Sequence, residues 1–142
     1  MSQIVEIVHR IEFSCAHRLH SPELDEAENR RLYGPCFNDH GHNYEMEVGV
    51  RGAVSGSTGM VMNLSALSEI VRREFWTHVD HKHLNHDVPF LEGVIPTAEN
   101  IAVAAWARLQ GEIEKSPGCR LHRIRIFESR QNSVEYRGPS PD

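Results

Sequence analysis

The stretch H-G-H-N-Y-E-M-E-V-G-V-R-G, residues 40–52, decides the fold. Within it Tyr44, Met46, Val48 and Val50 alternate with Asn43, Glu45 and Glu47. That period of two marks a half-buried antiparallel strand. Continued backwards, the same period sets His40 and His42 on one face, because side chains alternate across a strand. Gly41 between them permits close approach.

Outward from this strand the pattern stays extended on the N-terminal side. From Gln3 to Leu19, Ile4, Val5, Ile7, Val8, Ile11 and Phe13 interleave with polar residues, so a long strand is expected, with an irregularity near Val8 where strict alternation fails. Ser21 to Asn38 is polar and rich in turn formers, and reads as a long loop of the kind that often carries function. On the C-terminal side, Gly52 to Gly59 is a turn, after which Met60 to Met62 are expected to rejoin the sheet. Asn63 stands at a helix N-cap position before Leu64, Leu67, Ile70, Val71 and Phe75 at helical spacing. His78 to Pro96 is irregular, and Thr97 caps a second helix with the stripe Ile101, Ala104, Ala105 and Leu109. Leu121 to Glu128 and Ser133 to Arg137 read as a hairpin, and 138–142 as a frayed tail. The order ββααββ predicts one α+β domain over 1–142, a four-stranded antiparallel sheet with two helices on one face. Its two sheet edges must be covered or paired with another chain.

Composition narrows the function. The chain has 142 residues and a net charge of -5, with Lys and Arg scattered, which argues against a nucleic-acid partner. No run approaches the roughly 18 apolar residues of a membrane span, nor does the start resemble a signal peptide. Three cysteines, Cys15, Cys36 and Cys119, show no C-x-x-C spacing, which points to a reducing compartment and a cytoplasmic protein. Ten histidines are many for this length, and it is their grouping that carries information.

His40 and His42, joined by His17 in F-S-C-A-H-R-L, form a three-nitrogen set of the kind that holds catalytic zinc and leaves one position open. An H-x-H pair alone is a weak signal. A second cluster, V-D-H-K-H-L-N-H-D from Val79 to Asp87, offers either further ligands or a solvated loop. Within it Asp80 and His81 offer a carboxylate beside an imidazole, suited to fixing its tautomer. Cys36, four residues before His40, has three readings: a thiolate base near a metal, a fourth ligand, or a small buried hydrophobe. Glu128 shares a face with Ile124 and Ile126 at the end of its strand, where a carboxylate needs a partner. A cyclic amidine with two adjacent N–H donors would supply one, and so would Arg125 or Arg130.

These residues resemble, in order and over nearly the whole chain, the 6-pyruvoyltetrahydropterin synthase and 6-carboxytetrahydropterin synthase family. The resemblance rests on F-S-C-A-H-R-L-H-S-P, E-N-R-R-L-Y-G-P-C, H-G-H-N-Y, T-G-M-V-M-N-L, V-D-H-K-H-L-N, P-T-A-E-N-I-A and F-E-S-R-Q-N-S-V-E-Y-R-G. It implies the tunnelling fold (T-fold), in which sheets join into trimeric barrels and two trimers stack into a homohexamer. It implies zinc, one Zn2+ per subunit, on His17, His40 and His42, with Cys36 as catalytic cysteine and Asp80 and His81 as a proton-relaying pair. Glu128 would anchor the pterin, and Thr97 and Glu99 would help line its pocket. The implied substrate is 7,8-dihydroneopterin triphosphate, with Mg2+ a further candidate on the triphosphate.

Two branches of the family fit different segments. M-V-M-N-L and S-P-E-L-D-E-A-E-N resemble the pyruvoyl branch, which eliminates triphosphate and leaves a dicarbonyl side chain. The three-residue gap between Cys36 and His40 resembles the bacterial carboxy branch, which releases acetaldehyde and leads to queuosine. The expectation taken forward is the pyruvoyl product. A zinc-stabilised pterin-binding oligomer without turnover is the competing reading, and it gives Cys36 no task.

Overall fold

The computed structural model describes residues 3–140. The last two residues of the expected frayed tail, 141 and 142, lie outside them. Strand β1 (Ile4–His17) runs antiparallel to β2 (His40–Ala53) in unbroken register from Ile4 opposite Ala53 to His17 opposite His40. The irregularity expected near Val8 is absent from this ladder. Alternation fails there because Ile4 and Val8 are apolar residues standing exposed on the outer face. The register shift falls instead between β2 and β4 (Arg120–Phe127), at Gly49/Val50. β4 closes an antiparallel hairpin with β5 (Ser133–Tyr136).

The sheet has five strands rather than four, and it is mixed rather than wholly antiparallel. The additional strand, β3 (Lys82–His83), pairs parallel to β1 at Cys15 and Ala16, giving the order β3-β1-β2-β4-β5. Two residues are too few to show a period. The segment Ser21 to Asn38 is also not all loop. It contains helix α1 (Glu26–Tyr33) and a 3-10 turn, Gly34–Phe37. Met60 to Met62 stay outside the sheet, in an irregular bend.

Both expected caps form. The Asn63 side chain accepts from the Ser65 and Ala66 amides at the start of α2 (Leu64–Val71), and Thr97 accepts from the Asn100 amide. The chain runs from α2 through a π-helical turn, Arg72–Trp76, into the short α3 (Thr77–Val79) and so to Asp80. Helix α4 (Ala98–Ile113) follows Thr97. Leu67, Val71 and Phe75 from the first helical run and Ile101, Ala105 and Leu109 from α4 bury against Phe13, Met46, Val48, Ile124 and Ile126 of the sheet. Each such side chain contributes on the order of 1.5–3 kcal/mol of burial. The opposite face of the sheet is polar, held by Arg123 between Glu6 (2.8 Å) and Glu47 (3.0 Å).

The packed face runs along β1 as Phe13, Cys15 and His17, and along β2 as His40, His42, Tyr44 and Met46. One end of the hydrophobic core therefore turns into histidines.

Candidate active site and metal centre

His17 and His40 are a cross-strand pair, and His42 lies two residues on along the same face. Their ring centroids are 4.5, 5.1 and 5.0 Å apart, and one nitrogen from each lies within 4.8 Å of the others. His17 Nδ1 donates to the Pro96 carbonyl at 2.8 Å and His40 Nδ1 to the Asn38 carbonyl at 2.7 Å. A carbonyl only accepts, so each bond fixes the Nδ1–H tautomer and leaves Nε2 with a free lone pair. Nε2 of His40 and of His42 are buried without a hydrogen-bond partner among the described residues. Buried polar nitrogens left unpaired are costly, and a divalent cation at their focus removes that cost. Burial pushes the His17 imidazole down to about 4, and also lowers that of His42, so both are neutral and ready to ligate near pH 7. The donor set fits zinc with an open coordination position.

Sequence alone marks Tyr44 as a residue of the buried strand face. Its ring is fully buried and stacks on Phe13 (5.2 Å), while its hydroxyl stands 3.4 Å from His17 Nε2 and 3.4 Å from Glu128 Oε2. It bridges the histidine triad to the expected pterin anchor. Burial, then the Glu128 charge, push the phenol far up, so the O–H is retained to donate to the carboxylate. The signal was present in sequence, since 40, 42 and 44 share one face.

Glu128 lies just past β4, its amide donating to the Asn132 carbonyl in the hairpin turn at 3.1 Å. With Glu99, Ala98 and Asn132 it lines a small cavity of about 210 Å3. Thr97 is occupied as the α4 cap, and it places Pro96, whose carbonyl orients His17. Cys36 sits half-buried in the 3-10 turn, with its carbonyl held by the Leu19 amide at 2.8 Å.

Asp80 and His81 are in contact. Asp80 Oδ1 accepts from the Ser14 amide (3.0 Å), Oδ2 binds His81 Nδ1 (2.7 Å), and the His81 amide donates to the Ser14 carbonyl (2.6 Å). His81 adopts φ +60, a conformation unusual for a non-glycine residue and one that clusters at functional sites. Its ring is exposed and lines, with His42, Cys15 and Lys82, a cleft of about 480 Å3. His42 thus joins the two halves of the site. The rest of the second histidine cluster does not converge: His83 pairs with Asp39 (2.9 Å) and stacks on His86, and His78 bonds the Arg73 carbonyl.

Among the described residues no helix is long and apolar enough to cross a membrane. The 6-pyruvoyl tetrahydropterin synthase family profile matches residues 6–139. A 6-pyruvoyl tetrahydrobiopterin synthase of Dictyostelium discoideum is 41% identical over 138 residues, covering 97% of this chain and 99% of that one. The Homo sapiens protein of the same name is 40% identical, covering 94% and 91%. A putative 6-carboxy-5,6,7,8-tetrahydropterin synthase of Archaeoglobus fulgidus is 35% identical over 102 residues, covering 72% and 78%. The solved 6-pyruvoyl tetrahydropterin synthase of Caenorhabditis elegans superposes with a TM-score of 0.90 at 35% identity, covering 97% and 98%. With its histidine triad at the end of the core and this likeness along nearly its full length, the chain belongs to the 6-pyruvoyl tetrahydropterin synthase family.

Proposed function

We propose that this protein is a zinc-dependent lyase that converts 7,8-dihydroneopterin triphosphate to 6-pyruvoyltetrahydropterin, with Zn2+ held by His17, His40 and His42. The observation that carries the proposal is the convergence of three imidazoles, two with buried and unpartnered Nε2 atoms, next to a Tyr44–Glu128 hydrogen bond. When bound, zinc acts as a Lewis acid that acidifies the chelated side-chain hydroxyls and their neighbouring C–H groups. Glu128 accepts two N–H bonds from the pterin amidine, and Tyr44 orients that carboxylate. The Cys36 thiolate removes a carbon-bound proton from the side chain. Asp80 holds the His81 Nδ1–H tautomer, leaving Nε2 to carry a second proton. The C–O bond to triphosphate breaks with its electron pair. The side chain is oxidised to a dicarbonyl as the ring is reduced, so no nicotinamide is consumed.

The free sheet edge supports an assembly of several copies. From Ile4 to Ser14 the outer edge of β1 has no strand beside it among the described residues, and Ile4, Val5 and Val8 are exposed there. Pairing that edge between copies into trimeric barrels, two per homohexamer, would remove it. A cytoplasmic setting fits the three free thiols.

Cys36→Ala tests the chemical assignment. It should keep the fold, zinc and oligomer while losing turnover, and unchanged turnover would sink the role given to the thiol. The carboxy product is the second reading, favoured by the short gap between Cys36 and His40, and acetaldehyde release would identify it.

A further inference from the structure

At the end of the sheet away from the metal centre, nine residues along β2 from His42 and so about 30 Å distant, lies a cleft of about 440 Å3. Arg51, Arg120 and His122 rim it, and Ile4, Ala53 and Leu121 form its apolar wall. Arg51 and Arg120 are register partners across β2 and β4. Like charges directly opposite in a sheet repel, and among the described residues no carboxylate pairs with either side chain. Glu6, which faces Arg51 from β1, is committed to Arg123 at 2.8 Å. Among the described residues, the side chains of Arg51, Arg120 and His122 have no hydrogen-bond or ion-pair partner.

The register shift explains how the third group arrives. Gly49 pairs with Arg123 and Val50 with Leu121, so His122 is an extra, unpaired residue. A bulge of this kind re-aims a side chain, and this one adds an imidazole to the two guanidiniums. The floor is fixed as well. A Cβ on Gly52 would meet Val61 at 2.9 Å and the Gly118 carbonyl at 3.1 Å.

We infer that this cleft is an oxyanion site that takes the phosphate group of a small organic phosphate. The two guanidiniums and His122 would bind its oxygens, and the wall of Ile4, Ala53 and Leu121 its apolar body. Guanidinium forks match phosphate geometry and hold it bidentately. In a chain of net charge -5 the cluster is a local exception. Nothing in the proposed reaction uses it.

The test is thermal unfolding of the zinc-loaded full-length chain in inorganic phosphate, in phenyl phosphate, and in sodium chloride at matched ionic strength. At about ten times Kd, Tm of the wild type should rise by roughly 3–5 °C over chloride, with phenyl phosphate acting at lower concentration than phosphate. Arg120→Gln should be as stable as wild type or more so in chloride, because a repulsion is removed, and should lose the phosphate response. Arg51→Gln serves the same purpose if the first variant does not fold. An equal phosphate response in the variants would overturn the inference. So would a wild type indifferent to both phosphates, with the variants less stable in chloride, since the arginines would then be paired within the assembly.

Discussion

Tyr44→Phe removes one oxygen and leaves the ring stacked on Phe13. With His17 Nε2 given to the metal, the hydroxyl retains Glu128 as its acceptor. A hydrogen bond to a charged acceptor contributes about 1.5–3 kcal/mol, and 3.4 Å is long, so the lower figure applies. About 1.5 kcal/mol corresponds to roughly a tenfold loss. Because the carboxylate would bind the pterin in ground and transition states alike, the loss should fall on KM, with kcat changed less than threefold. Steady-state kinetics with dihydroneopterin triphosphate, run beside zinc analysis of the same preparation, separate the outcomes. Unchanged kcat/KM would refute the role given to Tyr44. Loss of zinc would show that the phenol serves the triad rather than the anchor.

Other expectations follow from the same geometry. His42→Ala should lower zinc well below one per chain by metal analysis, and retained stoichiometric metal would move the centre to the cluster from His78 to His86. Asn29 is fully buried, accepts from the Ser21 amide and donates to the Ser21, Leu24 and Asp25 carbonyls. Asn29→Ala should cost about 3 kcal/mol, or roughly 9 °C in Tm at about 3 °C per kcal/mol, and a Tm within 2 °C of wild type would contradict that. In the metal-free protein, His17 is held at about 4 against 6.5 unfolded. Between those values the unfolded state binds the extra proton, so stability should fall by up to about 3 kcal/mol as pH drops from 6.5 to 4. Urea unfolding of apoprotein across that range checks it, and a flat profile would show that His17 is not held neutral.

Residues 40–52 were legible because a strand with one buried face writes its burial into a period of two. Asn63 and Thr97 were legible because a side-chain acceptor before an apolar stripe has a physical task. Helix α1 was not, because its eight residues bury only Asn29 and show no apolar stripe. What marks it is chemical: Asp25 at the cap accepting from Glu28, acids in the first turn, Arg30 and Arg31 in the last. β3 was invisible because two residues are too few to show a period. In the site, Tyr44 reads as a core residue, which it is; its second task is hidden because burial and the contact with Glu128 coincide there. Contact between Asp80 and His81 depends on a positive φ that no residue-type pattern announces.

The most direct test of the account is product analysis after incubating zinc-loaded protein with 7,8-dihydroneopterin triphosphate. The account predicts one inorganic triphosphate released per pterin consumed, a pterin product that keeps all three side-chain carbons, and no acetaldehyde. Acetaldehyde in step with triphosphate would contradict it.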